Sequence, residues 1–218
     1  MRNKAKDAVQ MENKRREFLQ AGFRLFSENN IGDISLQMVA EASGYGIATL
    51  YRYFDKKSGF VIAVAAWKWK EFHEENKKRR PKEDFEGMTA IQIFEFYLDS
   101  FLELYKRHSN LLRFNHFFGT YIQFENVDAE TIRPFKEVIK TFENQFHYMY
   151  KKAEEDNTIR TDVSEQEMFS TTLHLMFAAV TRYAVGLFYK PESGFDALKE
   201  LQALKEMLLA RYEKNTLV

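Results

Sequence analysis

Apolar residues recur at helical spacing along almost the whole chain, and the interruptions are short and polar. From Lys14 to Glu28, Phe18, Gly22, Leu25 and Phe26 share one face, with Leu19 and Phe23 beside them. This predicts a first helix. Residues 1–13 ahead of it are charged and lack an apolar period, which reads as a frayed start or mobile arm. Asn29-Asn30-Ile31-Gly32-Asp33 is a turn signal. Ser35 then opens a short helix as its N-cap, with Ile34 and Val39 placed as a hydrophobic staple. Leu36, Val39 and Ala40 lie on one face of that helix. Ser43-Gly44-Tyr45-Gly46 breaks it, with Gly44 free to take a positive φ. A second run, Ile47 to Phe54, turns Leu50 and Phe54 inward and leaves Thr49, Tyr51, Arg52 and Tyr53 to point elsewhere. A short helix, a glycine turn and a short helix with outward polar and aromatic side chains make the helix-turn-helix pattern. The stripe of the first helix closes this unit by packing on Val39, Leu50 and Phe54.

Further on, Asp55 is placed to cap a helix from Lys56 to Lys78, with Phe60, Val61, Val64, Ala65 and Trp67 inward. It ends in Lys77-Lys78-Arg79-Arg80 before Pro81, which is ordinary chemistry for a helix C-terminus. Residues 81–88, charged and holding Pro81 and Gly87, mark a boundary. The expected organisation is a helix-turn-helix domain at 1–57, a connecting helix at 56–80 and a second domain at 81–218. Only helices follow the boundary. Ile91, Phe94, Leu98, Phe101 and Tyr105 make one stripe, and Leu111, Phe114, Phe117, Phe118 and Tyr121 a second. A long helix holds Ile132, Phe135, Val138, Ile139, Phe142, Phe146, Met149 and Tyr150, with Pro134 tolerated in its first turn. Ser164-Glu165-Gln166-Glu167 is a capping box opening a helix to Tyr189. That helix is apolar nearly all round, with Phe169, Leu173, Met176, Val180, Tyr183 and Leu187 on one face and Thr172, Phe177, Ala184 and Phe188 extending it. A last helix, Phe195 to Tyr212, shows Leu198, Leu201, Leu204 and Leu208. The fold class is all-α.

The run Ala40-Glu41-Ala42-Ser43-Gly44, then Thr49-Leu50-Tyr51-Arg52-Tyr53-Phe54 and Lys56-Lys57, resembles the DNA-binding region of the TetR/AcrR family of bacterial transcriptional regulators. The helix Phe18 to Phe26, ending at Asn29-Asn30-Ile31-Gly32, is similar to theirs as well. The resemblance covers residues 14–64. Gly46 and Ile47 stand where the family often has Ser or Thr and then Lys, which leaves the first turn of the recognition helix less polar. The resemblance implies a homodimer, an effector pocket among the later helices, and a palindromic operator read by two recognition helices.

Composition narrows the alternatives. The chain has 218 residues, 45% hydrophobic and 16% aromatic, which is ample for a core. There is no cysteine, so no disulfide framework and no thiol chemistry. The polar N-terminus and the absence of a long apolar run point to a cytoplasmic protein off the membrane. Net charge is zero, yet residues 1–57 hold ten Lys and Arg against seven Asp and Glu. A positive end on a neutral chain suits a local phosphate-binding face. No Gly-x-Ser-x-Gly, no phosphate-cradling glycine loop and no His-Glu-x-x-His is present, so no enzyme reading is supported. His116, His147 and His174 lack metal-ligand spacing, and neither a metal nor a cofactor is expected.

The candidate DNA contacts are Ser35, Gln37, Tyr45, Gly46, Thr49, Tyr51, Arg52, Tyr53 and Lys57. Gln37, Thr49 and Tyr45 suit base edges or thymine methyls. Tyr51, Tyr53, Ser35 and Lys57 suit phosphate oxygens, and Arg52 suits either role or an internal ion pair. Lys56 and Lys57 oppose the macrodipole of their helix, which makes sense beside a phosphate. The effector candidates are Phe94, Tyr97, Phe101, Phe114, Phe117, Phe118, Tyr121, Phe142, Phe146, Met149, His174 and Phe177, each of which also serves as core filler. Asn115, Arg113 and the histidines are the polar groups that would orient such a ligand. The dimer candidates are Met176, Ala179, Val180, Tyr183 and Leu187, with Leu201, Leu204 and Leu208. A helix apolar on two sides must be buried on two, and Ala178, Ala179 and Gly186 allow close approach; which face meets a partner is open. The expected function is a dimeric, ligand-responsive regulator, a repressor released by a small, largely apolar effector. A helical interaction protein that no longer binds DNA, or an activator, is accommodated by the same pattern.

Overall fold

The computed structural model describes residues 4–79, 85–187, 189–191 and 193–214. Arg2, Arg80, Pro81, the boundary residues 82–84 and Phe188 lie outside them, as do the side chains of Lys4 and Lys6. Among the described residues the fold is all helical, with nine α-helices and no strand beyond an isolated bridge between Ile159 and Glu213. The helices are α1 (Lys4–Glu28), α2 (Leu36–Ala42), α3 (Ile47–Leu50), α4 (Lys57–Lys78), α5 (Ala90–Arg107), α6 (Ser109–Phe124), α7 (Ala129–Asp156), α8 (Glu165–Val185) and α9 (Ala197–Tyr212). Two compact units divide them. One holds Met1–His73 with Arg113–Val138, the other Glu74–Leu112 with Ile139–Val218. The units therefore divide differently from a boundary in chain order at residue 81.

The N-terminal unit is built on a close crossing of α1 and α4. A Cβ on Gly22 would lie 2.5 Å from Cζ of Phe60, a ring with no exposed surface. Phe60 in turn meets Phe26 and Phe54 edge-on, at 5.8 and 4.8 Å between centroids. Phe18, Leu19, Ile31, Val39 and Leu50 complete this core. One expectation fails here. α1 starts at Lys4, three turns ahead of Lys14. Residues 5–13 are mostly good helix formers, and they extend a helix already nucleated by its packed half, so the costly first turn is not theirs to form. A second correction falls on α4, where Trp69 is buried and Trp67 only half so.

In the C-terminal unit α8 and α9 both pack on α5, and on each other. Asp156 joins the chain ends of this bundle. Its carboxylate accepts from the Ala90 N–H at 2.7 Å, from the Thr158 N–H at 2.9 Å and from the Thr158 hydroxyl at 2.8 Å. Tyr150 donates to the Val163 carbonyl at 2.6 Å, which holds the turn before α8. Ser164 caps α8 by accepting from the Glu167 N–H at 3.2 Å, as expected. Two helix limits differ from the pattern. α8 stops at Val185 because Gly186 takes φ 122°, so Leu187 and Tyr189 lie beyond the helix. α7 begins at Ala129, where Asp128 accepts from the Thr131 N–H at 2.8 Å. Pro134 thus sits in its second turn rather than its first.

Candidate nucleic-acid interface

Residues 35–54 form the surface that the pattern singles out. The Ser35 hydroxyl accepts from the Met38 N–H at 3.2 Å and starts α2. Gly44, at φ 76°, ends α2 and turns the chain. α3 itself is short, but backbone bonds continue it. Tyr51 N–H donates to Ile47 at 3.0 Å and Phe54 N–H to Leu50 at 3.1 Å, so one wound segment runs from Gly46 to Phe54. Leu50 and Phe54 face the core. Ser35, Gln37, Gly46, Tyr51 and Arg52 are exposed, with Tyr51 at 51%; Tyr45, Thr49 and Tyr53 are half-buried. The Gln37 amide donates to Glu41 at 2.7 Å and is steadied along α2.

The two phenols at the ends of this segment rest on α1. Phe18 lies 5.2 Å from the ring of Tyr45 and 5.7 Å from that of Tyr53. The Tyr45 hydroxyl donates to Glu17 at 2.5 Å, and that bond, with partial burial, raises the phenol's pKa. Arg24 donates to the Ala42 carbonyl at 3.2 Å and fixes the end of α2 against α1.

Lys57 is placed differently from its assignment. Its ammonium donates to the Gly32 carbonyl at 2.9 Å and lies 5.8 Å from the Tyr121 ring. Burial lowers its pKa, although Glu125 and Asp33 push the other way. Lys56 pairs with Asp128 at 3.1 Å. The cations expected on phosphate are thus both engaged with the protein, and Lys57 serves first as a cap on the turn at Gly32. The pattern of α4 shows where they start a helix. It carries no sign of Tyr121 or Asp128, which arrive from far along the chain.

Comparison with known proteins bears on this surface directly. Residues 18–64 match the family model described as bacterial regulatory proteins, tetR family. The match is confined to this segment, and through it the chain resembles the TetR family. Solved structures of similar fold include a TetR transcription regulator from Haloarcula marismortui, 14% identical, with a TM-score of 0.71 over 93% of this chain and 100% of that one. The regulator FadR from Bacillus subtilis, in complex with stearoyl-CoA, is 17% identical, with a TM-score of 0.68 over 89% of this chain and 97% of that one. AibR, in complex with isovaleryl coenzyme A and operator DNA, is 15% identical, with a TM-score of 0.66 over 90% and 98%. No curated protein sequence matches the chain.

The surface within the matched segment is one half of the expected chemistry; the aromatic set is the other, and it is divided. Phe114, Phe117, Phe118 and Tyr121 belong to the N-terminal unit. There Phe114 stacks on Phe118 at 5.7 Å and meets Phe23 at 5.6 Å. Burial pushes the Tyr121 phenol up to about 12, with Glu125 adding to it. Phe94, Tyr97, Phe101, Phe142, Phe146, Met149, His174 and Phe177 belong to the C-terminal unit. Phe94 and Met149 have no exposed surface, and Phe146 meets Phe94 and Phe169 edge-on. Tyr97 donates to the Gln145 carbonyl at 2.9 Å, and Phe101 meets Phe177 at 6.4 Å. His174 is exposed on α8, away from this interior. His147 pairs with Glu165 at 2.9 Å, and His116 is exposed beside Phe117. Among the described residues no cluster of His, Asp and Glu is arranged to hold a metal, and no helix is long and apolar enough to cross a membrane.

The dimer assignments need correction. Met176, Val180 and Leu201 have no exposed surface and Leu208 almost none, because these residues face the interior of their own unit. Ala179, Leu187 and Leu204 are half-buried. Tyr183 is half-buried and donates to Glu200, and burial together with that bond pushes its phenol up to about 12. The apolar residues left outside are Leu175 (47% exposed), Ala178 and Val185 on α8, and Leu198, Ala203, Met207 (61%) and Ala210 on α9. In α8, positions 175, 178, 182 and 185 form one stripe at helical spacing. Arg182 sits inside it, which hid the face from a purely apolar reading.

Proposed function

We propose that this chain is a ligand-responsive transcriptional repressor that binds a palindromic operator as a homodimer in the cytoplasm. One observation carries the reading. The segment Gly46–Phe54 is wound into a rod whose core side is sealed by Leu50 and Phe54, while Tyr51 and Arg52 stand exposed with Gln37 and Ser35. A rod of this kind fits the major groove, with phenols and hydroxyls on phosphate and Gln37 or Thr49 on base edges. TetR-family regulators are in general DNA-binding proteins without enzymatic activity. The second copy would meet the Leu175, Ala178 and Val185 stripe and the Ala203, Met207 and Ala210 stripe. Two-fold symmetry then sets two recognition segments about one DNA turn apart, roughly 34–36 Å.

The effector reading rests on the aromatic interior of the C-terminal unit. A small, largely apolar ligand gains from such rings. The ligands of FadR and AibR, stearoyl-CoA and isovaleryl-CoA, make acyl-CoA esters the first class to try. Release from DNA requires a ligand that binds one of two states more tightly; the reciprocal effect of DNA on the ligand follows by linkage.

The test is binding of the purified chain to a duplex from its own promoter, followed by fluorescence anisotropy across a salt series. Affinity should fall steeply with salt. The double variant Tyr51→Ala, Arg52→Ala should bind at least about 100-fold more weakly, at about 1.5–3 kcal/mol for each hydrogen bond to a charged phosphate, with an unchanged melting temperature. Failure of the wild-type chain to bind at low salt would remove the reading. Leu175→Glu with Met207→Glu should turn a dimer into a monomer in sedimentation; a wild-type monomer refutes the symmetric part.

A further inference from the structure

We infer that the first half of α1 is a second DNA-contacting element, in which Lys14 and Arg15 hold phosphates beside the recognition segment. The inference rests on the DNA-binding reading above and adds a surface that lies outside the matched family segment, which starts at Phe18. α1 begins fourteen residues earlier, at Lys4, and from Ala8 to Glu17 its side chains are exposed save for a half-buried Arg15. At 1.5 Å per residue the ten residues from Ala8 to Glu17 make a rod of roughly 15 Å. A solvated rod of that length gains nothing by itself, so its position relative to the recognition segment decides its use.

That position is given by four side chains. The Lys14 ammonium lies 5.7 Å from the centre of the Tyr45 ring, and the Arg15 guanidinium lies 5.5 Å from that of Phe54. Glu17 holds the Tyr45 hydroxyl, and Phe18 touches both Tyr45 and Tyr53. Tyr45 and Phe54 are the residues that bracket the recognition segment. The two cations are therefore stationed at its two ends, each resting on a ring that limits how far it swings. A cation already held over a ring loses less freedom on meeting a phosphate than one on a free side chain. Arg15 on a ring also keeps N–H groups at the edge of its guanidinium plane, the geometry that meets phosphate oxygens. Arg16 is exposed on the next face. Residues 4–17 hold Lys4, Lys6, Lys14, Arg15 and Arg16 against Asp7, Glu12 and Glu17, a positive balance that matches a duplex backbone. The cations lie near the middle of α1, away from its N-terminus.

The contact expected is with backbone and not with bases, so it carries no sequence preference. Its signature is the salt slope. Each phosphate contact contributes about 0.9 to the slope of log affinity against log salt. The double variant Lys14→Ala, Arg15→Ala should therefore bind the promoter duplex with a slope shallower by about 2, and lose affinity for operator and random-sequence duplex by the same factor. The control Lys140→Ala, Lys199→Ala removes two exposed cations of the other unit and should leave the slope unchanged. Glu17→Gln keeps an acceptor for Tyr45 and removes a negative charge beside the cations, and should tighten binding to random-sequence duplex at fixed salt. An unchanged slope in the Lys14, Arg15 variant, with wild-type binding intact, overturns this inference and leaves the DNA-binding reading standing. Lack of binding by the wild-type chain removes that reading first. Circular dichroism melts identify a variant that has lost its fold, and in that case Lys14→Gln with Arg15→Gln repeats the measurement with the stems retained.

Discussion

The two compact units solve the same packing problem by different means. In the N-terminal unit the interior is mainly apolar, with Ser27 and His73 as its buried polar residues, and α1 meets α4 so closely that a side chain at position 22 would run into Phe60. In the C-terminal unit a charge is drawn inside. Lys205 of α9 is 5% exposed, and its ammonium lies 2.6 Å from Asp99 and 2.9 Å from Glu95 of α5. Burial pulls its pKa down, but hydrogen bonds from the ammonium to Asp99 and Glu95 outweigh burial and raise it. One interior is specified by shape and the other partly by charge. The difference matters for reading a chain: an apolar interior leaves its trace in residue periodicity, whereas a buried lysine looks like a surface residue until its partners are known.

Breaking the shape-specified interior should have the largest effect. Gly22→Val places new carbons against the Phe60 ring, which has no room to swing, and should destabilise the chain by about 2–3 kcal/mol, read as a fall in the denaturant midpoint. Gly22→Ala gains up to about 1 kcal/mol in helix propensity and should lose less; a stabilised Gly22→Ala would show that the α1–α4 crossing opens freely.

Lys205→Ala tests the charge-specified interior. It leaves Asp99 and Glu95 facing each other without a cation, but both are about half exposed to water. The cost should therefore fall below the 3–5 kcal/mol of a fully buried broken pair, at about 2 kcal/mol. Lys205→Met, which retains the stem, should cost less than Lys205→Ala. Equal costs would show that the charge and the stem play no separate part.

Asp156→Asn should have the smallest effect, about 1 kcal/mol, because the single amide oxygen still serves the two Thr158 donors and only the part-buried Ala90 N–H loses its acceptor. This site also sets a pH dependence. Burial raises the Asp156 carboxyl, but the hydrogen bonds from Thr158 and Ala90 outweigh it and hold the pKa below the usual carboxylate value. A depressed pKa contributes stability that is full above the unfolded value, near 4, and lost as pH falls through the folded one. Wild type should lose stability faster than Asp156→Asn below about pH 4, and parallel acid titrations of the two would disprove the assignment.

Local signals carried much of the candidate interface. The Ser35 cap, the Gly44 turn and the inward pair Leu50 and Phe54 each depend on residues within one or two helical turns of one another. Their physics is complete inside a short window of sequence, so the helix-turn-helix and its outward side chains could be read from order alone. The same holds for the Ser164 cap of α8.

What the sequence determined by itself, then, is the succession of helices, the Ser35 and Ser164 caps and the polar face of residues 35–54. Tertiary structure alone decided which side of α8 and α9 turns inward, which groups Lys57 meets, and that Lys14 and Arg15 of α1 rest beside Tyr45 and Phe54. Each of these depends on a partner distant in the chain: α5 for Met176 and Leu201, Gly32 and Tyr121 for Lys57, Tyr45 and Phe54 for Lys14 and Arg15. Periodicity reports that a helix has an apolar face. When a helix has two, as α8 does, burial goes to whichever face its neighbours can fill, and that choice is made only when the chain is folded.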